Sequence, residues 1–171
     1  TNVQQTILKT INDLNKWKNN LEANINFVPT MGNLHKGHLA LIKQSINDGY
    51  NKTLVSIFIN PLQFNDKRDY KKYPKTIERD IKLAFSSGAN AIFLPSEKEI
   101  LDAKSLIHQK ASQQLSANLC GQSREGHFDG VCTIVLRLLK IISPQKMFLG
   151  EKDWQQLLII EDMVKKLNLK I

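Results

Sequence analysis

Two histidines with a glycine between them stand where an apolar run gives way to a helical pattern. The run ends at Pro29 and Thr30, and His35, Gly37 and His38 follow shortly after. Residues three apart on a helix share a face, and a helix N-terminus carries unpaired N–H groups and partial positive charge. Two imidazoles there can donate hydrogen bonds to phosphate oxygens, and a glycine lets a ligand approach the backbone. The pattern therefore predicts a phosphate site.

The arrangement H-x-G-H resembles that of nucleotidyl-transferring enzymes, which predicts ATP chemistry at an α-phosphate. A pair of surface histidines without function is the alternative, and the four residues alone leave both open. The preceding strand and the following helix favour phosphate binding, because the motif needs that context.

Length and composition limit the class of protein. The chain has 171 residues, 42% hydrophobic residues and a net charge of +8, which predicts one globular domain. No apolar stretch approaches the roughly 20 residues that span a bilayer, and no secretory signal is visible. Cys120 and Cys132 form neither a disulfide framework nor a zinc pattern, so we expect a reducing cytoplasm. The lysines are scattered, which favours anionic substrates or plain solubility over nucleic acid.

Hydrophobic periodicity predicts alternating strands and helices. Apolar runs predict strands at Ile25–Val28, Leu54–Ile59, Ala91–Leu94 and Lys146–Leu149, with Leu169–Ile171 as the opening of a fifth strand. Helical spacing predicts helices from Ile7 to Trp17, about His35 to Asp48, Thr76 to Ser87, Val131 to Ile142 and Asp153 to Leu167, with a short helix around Ser112–Leu119. Residues 61–75 are predicted to be polar and mobile.

This alternation predicts an α/β fold with a doubly wound parallel sheet, a Rossmann-like arrangement. Ligands of such sheets lie beyond the carboxyl ends of the strands. The histidine pair, Asn60–Gln63 and Gly150–Gln156 each follow a strand directly. We therefore expect these three segments to meet in one crevice.

The last two segments carry side chains suited to anionic or hydroxylated ligands. Lys152 is a flexible point charge that suits phosphate. Asp153 and Gln156 also fit a capping box, which is the structural alternative. Asn60 and Gln63 offer neutral amides that can bind a hydroxyl or a carboxylate, while a simple turn explains them equally well.

Three further polar residues have structural alternatives. His127 could be catalytic, although a lone histidine is more often structural. Asp129 most simply caps the helix that follows it. Asp80 falls in the first turn of a predicted helix, where an acid is favourable, and a magnesium role is the second possibility.

Taken together, the segments resemble the pantothenate synthetase (pantoate–β-alanine ligase) family across essentially the whole chain. The matching stretches are Val28–Leu39, Ser56–Phe64, Tyr73–Thr76 with Asp80, Arg124–Val131 and Phe148–Leu157. Members of that family condense ATP and pantoate into pantoyl adenylate and pyrophosphate. The amine of β-alanine then displaces AMP to give pantothenate.

The resemblance implies a role for each matching residue. His35, His38 and Lys152 are the implied catalytic residues, holding phosphate oxygens and stabilising charge at the α-phosphate. Gln63 and Gln156 are implied to clamp pantoate. The implied pantoate site also includes Thr30, Met31 and Asn60, and the implied nucleotide site Pro29, Thr30, Met31, Gly32, His35, Gly37, His38, Gly150, Lys152 and Asp153. Mg²⁺ is implied to bridge the phosphates, with Asp80 as its candidate ligand, and the assembly is implied to be a homodimer.

The chain departs from the family pattern in two places. Trp154 replaces a more usual Tyr or Phe, which we expect to be harmless. The family continues past the position of Ile171 into a phosphate-gripping loop and a smaller C-terminal domain, so we expect a C-terminal part to be missing and turnover by this chain to be weak or absent.

Three other functions remain open at the level of sequence. Another H-x-G-H nucleotidyltransferase, such as a phosphopantetheine or nicotinamide-mononucleotide adenylyltransferase, is disfavoured by the paired amides of Gln63 and Gln156. A basic nucleic-acid-binding module is disfavoured because no recognised motif is present. A non-catalytic fragment that binds ATP or pantoate is kept open by the early ending.

Overall fold

Strands and helices alternate along the chain in the computed structural model, which describes residues 5–64, 66–102, 108, 127–150 and 154–171. The strands are β1 (Thr6–Leu8), β2 (Ile25–Thr30), β3 (Lys52–Ile57), β4 (Ala91–Phe93) and β5 (Lys146–Met147). The described helices are α1 (Ile11–Asn19), α2 (Lys36–Ile46), α3 (Lys67–Lys72), α4 (Ile77–Ser86), α5 (Glu97–Ile100), α6 (His127–Ile142) and α7 (Trp154–Lys166), with a 3₁₀ turn at Pro61–Gln63.

The five strands form one parallel sheet in the order β1-β4-β3-β2-β5. The chain moves from β2 towards β3 and β4 on one side, and β5 pairs with β2 on the other. Strand order therefore reverses between β2 and β5, which is where a doubly wound sheet opens a ligand crevice. This confirms the predicted fold class.

Successive side chains of a strand point to opposite faces of the sheet, so neighbouring residues belong to two different hydrophobic clusters. Phe27 and Leu54 join the cluster beneath α1, α6 and α7, while Val28 and Val55 join the cluster beneath α2 and α4. Both faces are covered, which explains why nearly every residue of β2 and β3 is buried rather than every second one.

The predicted helix from Ile7 to Trp17 is wrong at its start. Ile7 and Leu8 belong to β1, which pairs in parallel with β4. Thr10 then caps α1, its Oγ1 accepting the Asp13 N–H at 3.0 Å. A strand of three residues is too short to show alternation, so its apolar pair fitted the helical spacing that follows.

The predicted fifth strand at Leu169–Ile171 is also absent, and β1 supplies the fifth strand instead. Asn168 adopts φ +53°, and the Leu169 N–H donates to the Val164 carbonyl at 3.0 Å. Leu169 packs against the larger core cluster. This is a helix-ending motif with its hydrophobic contact, which explains an apolar residue there without a strand.

Other predicted boundaries shift at the ends of elements. Residues 61–75, predicted as a polar segment, contain the 3₁₀ turn and α3. Thr76 precedes α4 but makes no capping bond. Helix α6 begins at His127, so Asp129 lies in its first turn and does not cap it. The predicted helix at Ser112–Leu119 lies outside the described residues. Among the described helices, none has the length and apolarity needed to cross a membrane.

Candidate active site

A cavity of about 840 Å³ opens at the carboxyl ends of β2, β3 and β5. It lies where strand order reverses, and it gathers ten of the residues predicted from the sequence. These are Pro29, Thr30, Met31, His35, Gly37, His38, Asn60, Gln63, Gly150 and Gln156. The structure thereby brings together the three segments that were predicted from the sequence to meet in one crevice.

The two histidines form a reciprocal cap at the start of α2. The Gly37 N–H donates to His35 Nδ1 at 3.0 Å, and the His35 N–H donates to His38 Nδ1 at 3.2 Å. The ring centroids lie 4.1 Å apart. Histidine thus occupies the capping position that Ser, Thr, Asp or Asn usually fills, which fixes both rings at the helix N-terminus.

These hydrogen bonds decide which ring nitrogen carries the proton in each neutral imidazole. A nitrogen that accepts an N–H carries no proton of its own, so each neutral imidazole holds its proton on Nε2. Both rings therefore present an Nε2–H donor while Nδ1 faces the backbone. Two donors beside a helix N-terminus are suited to anionic oxygens.

Gly37 is required by the cap itself. A Cβ at Gly37 would lie 2.8 Å from Cε1 of His35 and 3.0 Å from its Nδ1. From the sequence, we predicted that this glycine lets a ligand come close to the backbone. The structure shows in addition that the His35 ring lies against it. A larger residue would displace that ring.

The turn before the histidines is held by Asp80 of α4. Its Oδ2 accepts the Asn33 N–H at 2.8 Å, and its Oδ1 accepts the Leu34 N–H at 2.9 Å. Thr76 Oγ1 donates to Oδ2 at 3.0 Å, and Arg79 Nη1 lies 3.7 Å from Oδ1. Asp80 is 1% exposed. The carboxylate is thus surrounded by donors from the chain and positions the histidine turn.

Gly32 lies in that turn rather than on the cavity wall. It has φ +79°, and a Cβ there would lie 3.0 Å from Asp80 Oδ2. Its N–H donates to Thr30 Oγ1 at 3.2 Å. The structure therefore gives Gly32 a conformational role, and its predicted contact with nucleotide stays a prediction.

Asn60 holds the 3₁₀ turn that carries Gln63. Its Oδ1 accepts the Leu62 N–H at 2.9 Å, and its Nδ2 donates to the Gly130 carbonyl at 3.1 Å and to Gln63 Oε1 at 3.4 Å. Asn60 is 3% exposed. Its amide is thus used within the protein, joining the 3₁₀ turn to α6 and fixing the side chain of Gln63.

The close approach of α6 to this turn depends on Gly130. A Cβ at Gly130 would lie 2.4 Å from the Leu62 carbonyl oxygen and 2.9 Å from the Gln63 nitrogen. Those are backbone atoms and cannot rotate away. Gly130 therefore sets the position of Gln63, although the two lie 67 positions apart in the sequence.

Part of the cavity lining is apolar and comes from α6. It comprises Val131, Ile134, Val135 and Leu138, with Phe58 of the segment after β3. Gln156 in the first turn of α7 also lines the cavity. Among the described residues, a Cβ at Gly150 would have Leu41 Cδ1 as its neighbour, at 3.8 Å, which is an ordinary contact.

Tyr73 adds a phenol to the cavity lining. Burial, and to a smaller extent the charge of Asp80, raise the pKa of this phenol above its usual value of 10.0. The group therefore stays protonated at neutral pH and offers a hydroxyl donor.

Some sequence-predicted residues are not placed. Lys152, Asp153 and Arg124 lie outside the described residues, and so does the side chain of His127. Their predicted roles stay predictions.

Gly130, Tyr73 and Ser56 also belong to the site, and they were not predicted from the sequence. Gly130 and Tyr73 stand inside the quoted matching segments, so their position in a motif was the available signal. Their contacts join distant parts of the chain, which spacing alone does not show.

The parallel sheet, the crevice where strand order reverses and the histidine-capped helix N-terminus define a nucleotidyltransferase-like α/β protein. Comparison with known families identifies the family within this class. The chain belongs to the pantoate-beta-alanine ligase family, whose family model matches residues 5–171.

Individual relatives agree with this membership. The chain is 54% identical over 173 residues to the bifunctional pantoate ligase/cytidylate kinase of Prochlorococcus marinus subsp. pastoris, covering 99% of this chain and 34% of that protein. It is 39% identical, with a TM-score of 0.91, to the pantoate-beta-alanine ligase of Francisella tularensis solved with beta-gamma ATP and beta-alanine, covering 97% of this chain and 64% of that one. Pantothenate synthetase of Thermus thermophilus is 37% identical with a TM-score of 0.88, covering 96% and 59%.

The chain therefore spans about a third of the Prochlorococcus relative and about three fifths of the two solved enzymes. The similarity concerns this part of those proteins and its fold.

Proposed function

We propose that this chain binds ATP and pantoate and forms the adenylating half of a pantoate–β-alanine ligase. The reaction joins the pantoate carboxylate to the α-phosphate of ATP and releases pyrophosphate. β-Alanine then displaces AMP to give pantothenate. The observation that carries the proposal is one cavity lined by the paired histidines, two glutamines and apolar side chains.

The first step needs charge neutralisation and positioning more than a base. The attacking carboxylate is ionised at neutral pH, so no proton has to be removed from it. Negative charge builds on the oxygens of the α-phosphate, and fixed donors aimed at those oxygens stabilise the transition state. The Nε2–H groups of His35 and His38 are such donors. Lys152 is proposed to add a positive charge, on the basis of the family resemblance.

Pantoate fits the remaining part of the cavity. It carries a carboxylate, two hydroxyls and a carbon bearing two methyl groups. The amides of Gln63 and Gln156 can pair with the oxygens, and the wall of α6 that includes Val131 and Val135 can cover the methyl groups. Because Asn60 is already engaged by Leu62 and Gly130, we assign it to positioning Gln63 rather than to direct contact.

The second step requires the adenylate to survive until β-alanine arrives. An acyl adenylate hydrolyses readily, so the site should exclude water. We propose that residues 61–75 contribute to this closure, because the 3₁₀ turn carries Gln63 and Tyr73 lines the cavity.

The surroundings of Asp80 do not fit a magnesium ligand. Both of its oxygens accept backbone N–H groups, and Thr76 and Arg79 occupy the remaining approaches. Among the described residues, no group of three or more His, Cys, Asp or Glu side chains is placed to hold a metal. Magnesium would accompany ATP and neutralise charge on its phosphates, and the chemistry assigned to this chain takes no metal ligand from Asp80.

The domain organisation, assembly and location belong to the same proposal. Residues 1–171 are proposed to act as one ATP- and pantoate-binding domain, completed by a smaller C-terminal domain. A homodimer and a cytoplasmic location are supported by the family resemblance alone.

Pantoate-dependent exchange of labelled pyrophosphate into ATP tests the proposal, because it reports adenylate formation without the second step. We expect exchange that requires pantoate and falls about a hundredfold or more in His35→Ala, as expected for loss of a charge-stabilising donor. Gln63→Ala should mainly raise the pantoate concentration required. His108→Ala, an exposed histidine outside the cavity, is the matched control and should behave like wild type.

Product analysis separates the ligase from other nucleotidyltransferases. With β-alanine present, the ligase releases free AMP together with pantothenate, whereas an adenylyltransferase leaves AMP attached to its product. ATP binding without any dependence of exchange on pantoate would reject the ligase assignment.

A further inference from the structure

Ser56 of β3 carries a buried hydroxyl that pairs with no group in the described part of the chain. Ser56 is 0% exposed, and within the described residues its Oγ is the one buried side-chain oxygen or nitrogen that makes no hydrogen bond. Its backbone carbonyl, by contrast, accepts the Thr30 hydroxyl at 2.8 Å. Buried polar groups are nearly always paired, because an unpaired one loses its bond to water without replacement.

The sheet explains why no partner lies beside this hydroxyl. In register, Ser56 is flanked by Pro29 of β2 and Phe93 of β4. On the same face along the chain, two residues before and after it, lie Leu54 and Phe58. None of these side chains offers a polar atom, so a partner has to come from above the sheet.

The space above this part of the sheet is the cavity. Ser56 lines it together with Pro29 and Phe58, and the Gln63 and Gln156 amides lie on the same cavity. The hydroxyl is a neutral donor and acceptor, so it suits a hydroxyl or carbonyl better than a phosphate. An uncharged polar group on an apolar floor is the arrangement that orients a small ligand.

We propose that Ser56 Oγ binds a hydroxyl of pantoate at the floor of the cavity, which makes Ser56 a specificity-determining residue. This inference rests on the proposed function. It adds a third neutral polar contact to those of Gln63 and Gln156. It also accounts for the unpaired hydroxyl, because bound pantoate supplies its missing partner.

The test is calorimetric titration of pantoate into Ser56→Ala and wild type, with an ATP analogue whose α–β bridge cannot be cleaved. We expect Ser56→Ala to bind pantoate about three- to tenfold more weakly, the effect of one net hydrogen bond. Titration of 2-deoxy- and 4-deoxypantoate identifies the partner. One of the two analogues should bind equally well to both proteins.

Thermal unfolding without ligand distinguishes a binding role from a structural one. Ser56→Ala should unfold at the wild-type temperature or higher, because an unpaired hydroxyl is removed. Ser45→Ala is the matched control, since Ser45 is equally buried but pairs with the Ile42 carbonyl at 2.7 Å and the Thr53 hydroxyl at 2.8 Å. It should unfold at a lower temperature and bind pantoate normally. Ser56→Cys, with a weaker donor of similar size, should give an intermediate affinity.

Two results would overturn the inference in different ways. If wild type binds pantoate and Gln63→Ala weakens it, but Ser56→Ala binds pantoate and both analogues like wild type, Ser56 is not a ligand contact. If wild type binds no pantoate, the proposed function fails and this inference fails with it.

Discussion

At the scale of single residues, Asp80 is a buried carboxylate that holds the turn before the two histidines. It accepts the backbone N–H groups of Asn33 and Leu34. Asp80→Asn would turn an amide N–H₂ towards one of these donors. We expect the free energy of unfolding to fall by about 2 kcal/mol, measured by urea denaturation, and ATP to bind more weakly because the histidine turn moves.

The same variant separates positioning from metal binding. The magnesium concentration that half-saturates ATP binding should stay unchanged in Asp80→Asn. Asp69→Asn, an exposed aspartate on α3, is the control and should keep wild-type stability. Unchanged stability combined with a shifted magnesium dependence would favour a metal ligand and contradict the structural role.

Cys132 of α6 is a residue that burial makes unreactive. Burial, and then the charges of Asp129 and Asp162, raise the pKa of its thiol from 9.0 to about 12. Since only the thiolate is nucleophilic, iodoacetamide at pH 8 should label Cys132 far more slowly in the folded protein than in urea. Peptide mass spectrometry measures both rates, and equal rates would contradict the burial.

The raised pKa of Cys132 also has a consequence for stability. The unfolded thiol ionises near 9.0 and the folded one near 12, so the folded state holds the proton more tightly. The contribution of this thiol is complete below pH 9 and is lost as pH rises from 9 towards 12. Cys132→Ala should show a smaller fall in stability over that interval, apart from its loss of packing.

At the scale of elements, the contact between α6 and the 3₁₀ turn positions the amide of Gln63. Helical Gly→Ala changes usually stabilise by up to about 1 kcal/mol. At Gly130 we expect the opposite sign, a loss of roughly 1–3 kcal/mol from overpacking, because a Cβ would lie 2.4 Å from the Leu62 oxygen. Urea denaturation measures the loss, and calorimetry should show weaker pantoate binding.

A second substitution in α6 shows whether the effect is local. Lys140→Ala lies on the exposed end of the same helix and should change neither stability nor binding by much. If Gly130→Ala were as stable as wild type and bound pantoate normally, the turn would be able to move, and the assignment of Gly130 as a positioning residue would be lost.

Elements were predicted correctly where the residues that determine them lie close together in the sequence. The strand predicted at Ile25–Val28 is present and extends to Thr30. This strand and the helix after His35 were predicted because apolar runs and helical spacing lie within one segment. Strand β1 was missed because its identity depends on pairing with β4, more than eighty residues away. The same holds for the site, where the histidine pair is a local motif and the Gly130 contact is not.

At the scale of the whole molecule, the cavity is assembled from both faces of the sheet. Helix α2, which carries the histidines, packs on one face with α4, while α6 and α7 pack on the other. The cavity takes residues from α2, α6 and α7. A ligand that fills it contacts elements from both cores, so its binding energy should stabilise the two faces together.

Ligand-linked stabilisation tests this arrangement. ATP and pantoate, each at about a hundred times its dissociation constant, should raise the free energy of unfolding by at least about 2.7 kcal/mol. Hydrogen exchange should slow in α2 on one face and in α7 on the other, because the cavity is lined by both. In His38→Ala, ATP at the same concentration should protect α2 and α7 less from hydrogen exchange. Both helices should lose protection together, because both line the weakened binding site. Protection confined to α2 would mean that the ligand contacts one face only, and the assembled cavity would not be its binding site.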